Sequence, residues 1–114
     1  MQLTLPMITY YEGPRLVSQE VLDAILTYRD AVRACWDLRT RRNLTKRALA
    51  EKVGCYASHL SDYISEDPSK RELPAKHVAA FEVECGNRVI TQWLNKQAHV
   101  TILEQFIERR RVAV

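Results

Sequence analysis

Apolar residues recur at three- and four-residue steps over most of the chain, which is the spacing of one face of an α-helix. The first such segment predicts a helix from about residue 18 to 41, with Ser18 as N-cap and Thr27 as the point at which the helix can break. Its apolar face consists of Val21, Leu22, Ile25, Tyr28, Ala31, Val32, Cys35, Trp36 and Leu38.

Residues 45–64 predict two short helices joined by a tight turn. Thr45 is placed to cap the first helix, Gly54 to end it, and the second helix runs from Tyr56–Ser58 to near Ile64. Apolar or small residues fall where two crossing helices must touch, and these are Ala48, Leu49, Ala50, Val53, Cys55, Leu60 and Tyr63.

The rest of the chain predicts three further helices behind this pair. After a polar loop at 65–71, Pro74 suits the first turn of a helix that Gly86 ends. A second helix is expected from Asn87 to about Ala98, with Val89, Ile90, Trp93 and Leu94 facing inward. Thr101 and Glu104 have the spacing of a capping box, which predicts a separate last helix.

The first 17 residues follow a different pattern. Leu3, Leu5 and Met7 alternate with polar residues or proline, which suits an extended arm or an edge strand. Two interpretations stay open for this segment: a packed or frayed tail, and an arm that pairs across a dimer.

The predicted fold class is therefore all-α, a compact bundle of five to six helices around a helix-turn-helix, with an extended N-terminal arm. We divide the chain into the arm at 1–17, a helical domain at 18–98 that contains the 45–64 motif, and a C-terminal helix at 99–114 that is a candidate dimerisation element. A chain of 114 residues with 46% apolar residues can build one modest core.

The charge distribution and the cysteine content limit the classes of function that the chain can have. The net charge is only +3, but residues 39–50 hold five basic side chains and no acidic one. The three cysteines are far apart, which argues against a zinc site and favours small buried thiols in a reducing cytoplasm. No signal peptide and no apolar run of about 20 residues is evident, so we expect a cytoplasmic protein. We also expect that it binds no metal and no cofactor.

Residues 45–64 resemble the lambda-repressor/Cro-like (XRE-type) helix-turn-helix family. The likeness comprises a threonine cap, an "LAxKxG" pattern, a short turn and an "S-x-hydrophobic-S" pattern, carried by Thr45, Leu49, Ala50, Glu51, Lys52, Val53, Gly54, Ser58, Leu60 and Ser61. Residues 33–36 and 86–94 also look like small regulators of phages and mobile elements. The sequence departs from the family at Tyr56, where a short hydroxyl cap is usual, and at Asp62, where arginine or glutamine is usual.

The resemblance implies that the second helix of the motif enters the major groove of DNA. The residues expected to contact bases are Ala57, Ser58, Ser61 and Asp62. The residues expected to contact phosphates are Arg41, Arg42, Lys46, Arg47, His59, Lys70 and Arg71. For Asp62 two roles stay open, acceptance of a hydrogen bond from cytosine and a salt bridge to a neighbouring arginine, of which we favour the salt bridge.

The implied function is a sequence-specific regulator of transcription, a repressor that binds double-stranded DNA as a homodimer on inverted repeats. Leu103, Phe106 and Ile107 of the final helix are the candidate dimer contacts, with ordinary core packing as an equal alternative for this apolar stripe. The alternative is an antitoxin-like or assembly module that uses the same fold to hold a protein partner. An enzyme is not expected, because the histidines lack a nucleophile at a recognisable spacing and Glu82 and Glu84 point to different sides of a helix.

Overall fold

The computed structural model describes the backbone of residues 13–113 and the side chains of this range except those of 100–104 and 112–113. Within the described range the regular elements are helices, which confirms the predicted all-α class. They are α1 (Gln19–Asp23), α2 (Tyr28–Asp37), α3 (Lys46–Val53), α4 (Ala57–Ile64), α5 (Ala75–Cys85) and α6 (Val89–Ala113).

The predicted break near Thr27 is confirmed. The hydroxyl oxygen of Thr27 accepts a hydrogen bond from the amide of Asp30 at 3.1 Å, so Thr27 is the N-cap of α2. Ser18 is the N-cap of α1 but makes no side-chain cap bond. Helix α2 ends at Asp37, earlier than the expected residue 41, because the chain turns so that the amide of Thr40 donates to the carbonyl of Cys85 at 2.9 Å.

A single core lies around α2, which packs against α4, α5 and α6. Its fully enclosed side chains include Val32, Leu49, Leu60, Phe81 and Ile90. The apolar periodicity predicted most of this core, since these positions lie on the inner faces of their helices. Ala48 was expected at the contact between the two motif helices, but it is exposed.

Two of the three thiols belong to the core. Cys35 and Cys85 are free and fully buried, and Cys55 is half-buried. A hydrogen bond with Cys85, together with burial, raises the pKa of the Cys35 thiol well above its usual value. These positions agree with the expectation of small buried thiols.

Gly86 ends α5 in the left-handed conformation at φ 81°. A Cβ atom at this position would clash with the side chain of Thr40, which reaches the helix end from the α2–α3 loop. Glycine is therefore required here both by the backbone conformation and by the close approach of a neighbouring segment.

Beside Gly86, a group of polar side chains fixes the start of α6. We call Glu82, Asn87, Arg88 and Thr91 the junction cluster. The Glu82 carboxylate is fully buried and accepts hydrogen bonds from the Thr91 amide at 2.7 Å and hydroxyl at 2.6 Å, and from the Arg88 guanidinium at 3.3 Å. Asn87 accepts from the amide of Val89 and donates to the carbonyl of Cys35. The cluster thus joins α5, α6 and α2.

The C-terminal half of the sequence differs from prediction in two places. Helix α6 runs unbroken for 25 residues, so the expected separate helix after Ala98 is wrong. The capping-box pattern at Thr101 and Glu104 fails because the preceding residues are already helical, and a capping box needs a non-helical first residue. Pro74 is the N-cap of α5 and not its first helical residue.

The predicted N-terminal arm lies outside the described residues up to position 12. Its last part runs beside the start of α6, where the amide of Arg15 donates to the carbonyl of Gly86 and the amide of Arg88 donates to the carbonyl of Arg15. The side chain of Gln92 also makes two hydrogen bonds with the backbone of Val17.

Candidate nucleic-acid interface

The first helix of the motif begins as the sequence predicted. The Thr45 hydroxyl accepts a hydrogen bond from the amide of Ala48 at 3.1 Å, which caps α3. Lys46 and Arg47 follow directly and are exposed. Neither takes part in an ion pair within the described residues. Two cationic side chains therefore lie at the positive end of a helix, where an anion is favoured.

The turn between α3 and α4 depends on Gly54. This residue adopts φ 89° in the left-handed region, and its amide donates to the carbonyl of Ala50 at 2.8 Å. Apart from Gly54 and its neighbours along the chain, no heavy atom of the described residues lies within 4 Å of the place a Cβ atom would take. Glycine is needed here for the conformation of the backbone alone.

Helix α4 has one buried and one exposed side, as the pattern predicted. Leu60, Tyr63 and Ile64 are buried against the core. On the other side Ala57, Ser58 and Ser61 are exposed. Neither serine makes a side-chain hydrogen bond to any other described residue. The hydroxyls are therefore available to donate to, or accept from, an external partner.

From the sequence, Tyr56 is expected only to be a poor N-cap. It makes no side-chain cap bond, and α4 still begins at Ala57. Its ring is 74% exposed and lies edge-on to the half-buried ring of His59, with centroids 5.2 Å apart. The ring is therefore accessible beside the polar side of α4.

Asp62 forms a salt bridge to a neighbouring arginine, the role favoured from the sequence over a hydrogen bond from cytosine. Its Oδ2 atom lies 2.7 Å from Nη1 of Arg71. The Asp62 side chain is 22% exposed and the Arg71 side chain is 59% exposed. A predicted base-contacting residue is therefore bonded to a predicted phosphate-contacting residue in the free protein.

The loop that carries Lys70 and Arg71 is ordered by a residue that the sequence argument missed. Arg29 of α2 is buried, and its guanidinium donates to four carbonyl oxygens. These belong to Asp62 (2.7 Å), Ser65 (2.9 Å), Lys70 (2.6 Å) and Arg71 (3.0 Å). The available signal was the position of this arginine within an apolar stripe of the sequence, because a cation buried there must find partners.

The same loop is also tied by its own side chains. The Asp67 carboxylate accepts hydrogen bonds from the amide and the hydroxyl of Ser69 at 2.9 and 2.8 Å. The bond from the Ser69 amide is the main reason that the pKa of Asp67 lies below its usual value. The loop after α4 is therefore anchored from within as well as by Arg29.

The arginines before α3 are held by neighbouring groups. Arg41 pairs with Glu84 of α5 at 2.9 Å, and Arg42 donates to the carbonyl of Asp37 at 3.0 Å. Arg39 lies over the ring of Trp36, 3.9 Å from its centroid. Arg41 and Arg42 remain exposed, whereas Arg39 is half-buried.

The candidate dimer contacts lie on the outer part of α6. Phe106 and Ile107 are 57% and 52% exposed, and the side chains of residues 105–111 are all exposed. The side chain of Leu103 lies outside the described residues. The outer part of α6 therefore carries two large apolar side chains that the described part of the chain leaves uncovered, and Leu94, which was expected to face inward, is also exposed.

Comparisons of this chain with family models, curated proteins and solved structures gave no match. Among the described residues, no cluster of three or more histidine, cysteine or acidic side chains could hold a metal ion. None of the described helices has both the length and the apolar character needed to cross a membrane.

Proposed function

We propose that this protein is a sequence-specific double-stranded DNA-binding regulator of transcription, a repressor without enzymatic activity, in which residues 45–64 act as a helix-turn-helix. The observation that supports this most is the exposed polar side of α4. Its two serines make no side-chain hydrogen bond, and Lys46 and Arg47 at the start of α3 are exposed and form no ion pair, within the described residues.

In this proposal α4 lies in the major groove. Ala57 contacts a thymine methyl group, and Ser58 and Ser61 bond to base edges. Lys46 and Arg47, with the first amides of α3, contact phosphates. Arg41, Arg42, His59, Lys70 and Arg71 extend the phosphate contacts. The exposed side of α4 holds no arginine, asparagine or glutamine, so discrimination in one half-site is moderate and depends also on DNA shape.

A single reading helix contacts too little DNA for tight binding, and the proposal therefore includes a homodimer. Phe106 and Ile107 support this, because two large exposed apolar side chains on one helix suit a partner surface. The dimer is expected to bind inverted half-sites about 34–36 Å apart. We place this function in the cytoplasm, which the three free thiols support.

Removal of a phosphate-contacting cation tests the proposal. We expect Arg47→Ala to weaken binding to every duplex and to reduce the slope of log K against log salt by about 0.9, since one phosphate contact is lost. Fluorescence anisotropy with labelled duplex over a salt series measures both. Lys96→Ala is the matched control, because Lys96 also contributes one positive charge but lies on α6, paired with Asp23 of α1.

Selection of binding sites from a random duplex pool completes the test. Enriched inverted repeats with half-sites one helical turn apart support the dimeric regulator. Absence of duplex binding at low salt would end the proposal, and equal salt slopes for the Arg47 and Lys96 variants would show that the motif does not contact DNA.

A second candidate is a protein-interaction module of the antitoxin or assembly type. The exposed Phe106 and Ile107 favour it as much as they favour a dimer. The salt series separates the two functions, because a module that binds only a protein partner shows no affinity for duplex.

A further inference from the structure

The ion pair between Asp62 and Arg71 joins the reading helix to the loop that follows it. Arg29 fixes the backbone of Arg71 through its carbonyl oxygen, while the side chain of Arg71 reaches back to the carboxylate on α4. The carboxylate is 22% exposed and the guanidinium 59% exposed, so the cation is the more accessible partner.

This pair cannot persist unchanged against DNA if Arg71 is to contact a phosphate. The guanidinium would have to leave Asp62 or share its donors, and an ionised carboxylate only accepts hydrogen bonds. A carboxylate left without a donor beside phosphates is unfavourable, because like charges repel. Asp62 therefore needs a replacement donor, and in the major groove the amino group of cytosine is the donor that a carboxylate recognises.

A comparison within the molecule shows which property is specific to Asp62. Arg41 and Glu84 form a pair of similar length, 2.9 Å, with exposures of 56% and 22%. Glu84 lies on α5, however, and not on the reading helix. Release of Arg41 would thus add a cation without removing an acceptor from the reading surface.

We propose that Asp62 is a specificity-determining residue that withholds Arg71 from phosphates until a cytosine amino group replaces the guanidinium as its hydrogen-bond donor. The inference rests on the proposed DNA-binding function. On DNA without a cytosine at the matching position, Arg71 stays with Asp62 and one phosphate contact is absent. On the cognate site the carboxylate bonds to the base and Arg71 bonds to a phosphate.

The experiment measures the binding of four proteins, the parent, Asp62→Ala, Arg71→Ala and the double variant, to random duplex and to the site selected by the parent. Exposed ion pairs change an equilibrium by up to about fivefold, so we expect Asp62→Ala to bind random duplex about two- to fivefold more tightly. Its salt slope should steepen by about 0.9 for the added phosphate contact. In the Arg71→Ala background, Asp62→Ala should change neither the affinity for random duplex nor its salt slope.

Glu84→Ala is the matched control, since it also removes one carboxylate and frees one arginine. It should leave the ratio of affinities for selected and random duplex unchanged, whereas Asp62→Ala should lower this ratio and remove the cytosine preference. Circular dichroism establishes that each variant is folded.

Four results overturn the inference. Equal binding of random duplex by Asp62→Ala and the parent would do so while leaving the proposed function intact. If Asp62→Ala gained as much affinity for random duplex in the Arg71→Ala background as in the parent, the effect would be one of general charge. The same would follow if Glu84→Ala changed the affinity ratio as much as Asp62→Ala does. Absence of duplex binding by the parent would overturn both the inference and the proposed function.

Discussion

The junction cluster and the exposed side of α4 use similar polar residues in opposite ways. In the junction cluster Glu82 is fully buried, and its oxygens are bonded to Thr91 and Arg88. On α4, Ser58 and Ser61 are exposed and make no side-chain bond within the described residues.

The difference separates polar residues that hold the fold from polar residues available to a partner. A buried polar group must be bonded within the protein, because water cannot compensate it. An exposed hydroxyl can exchange water for another partner at little cost. The residue type alone does not distinguish the two cases, whereas burial together with bonding does.

The largest expected effect is at the junction cluster. We expect Glu82→Ala to lower the free energy of unfolding by about 2–4 kcal/mol, because the half-buried Arg88 and Thr91 groups lose their acceptor. Urea denaturation followed by circular dichroism measures this. Glu20→Ala, at an exposed glutamate of α1, should stay within about 0.5 kcal/mol of the parent. A loss below about 1 kcal/mol for Glu82→Ala would contradict the structural role that burial assigns to this cluster.

A smaller effect is expected where the core supports the reading helix. Arg29→Lys should cost about 1.5–3 kcal/mol, since one ammonium group cannot reproduce the four bonds of the planar guanidinium. Amide hydrogen exchange should become faster across residues 65–71, and mass spectrometry of the exchanged peptides reports it.

Arg33→Lys is the control on the same helix, because the ion pairs of Arg33 with Asp30 and Glu66 are exposed. Its stability should change by less than about 1 kcal/mol. If both variants accelerated exchange in the loop equally, Arg29 would have no special part in its order.

The smallest effect on stability is expected on the exposed side of α4. Ser58→Ala should change the free energy of unfolding by less than about 0.5 kcal/mol, because no internal bond is lost. It should alter the preference at one base position by about 1 kcal/mol, the contribution of one hydrogen bond. Site selection with the variant checks the preference, and Ser18→Ala, at another exposed serine, should leave it unchanged. An unaltered preference for Ser58→Ala would remove this residue from the predicted base contacts.

Local patterns predicted much of the fold. Thr45 and Gly54 bound α3 as expected, Thr27 marks the break before α2, and Gly86 ends α5. Caps and left-handed glycines depend on residues a few positions apart, so a sequence read in short windows contains the information. The inward positions of α4 and α5 followed from helical periodicity in the same way.

The candidate site could be predicted only in part. The exposed positions of α4 followed from its apolar pattern, and the salt bridge of Asp62 was the favoured role. That Arg71 is the partner depends on the path of the 65–71 loop, which Arg29 fixes from 36 to 42 positions away in sequence. The exposure of the Tyr56 ring beside His59 could not be predicted either, because the cap rule addresses only the backbone.

The sequence by itself determined the helical class, the order of the elements and the two-helix unit at 45–64, because periodicity and capping act over a few residues. The tertiary structure alone decided which polar groups are buried and which are free. Glu82 is enclosed where α5 meets α6, and Arg29 is enclosed where α2 meets the end of α4 and the 65–71 loop. Whether a side chain is buried depends on contacts between segments that are far apart in the sequence. A local pattern of residues contains no information about how close such segments come in space.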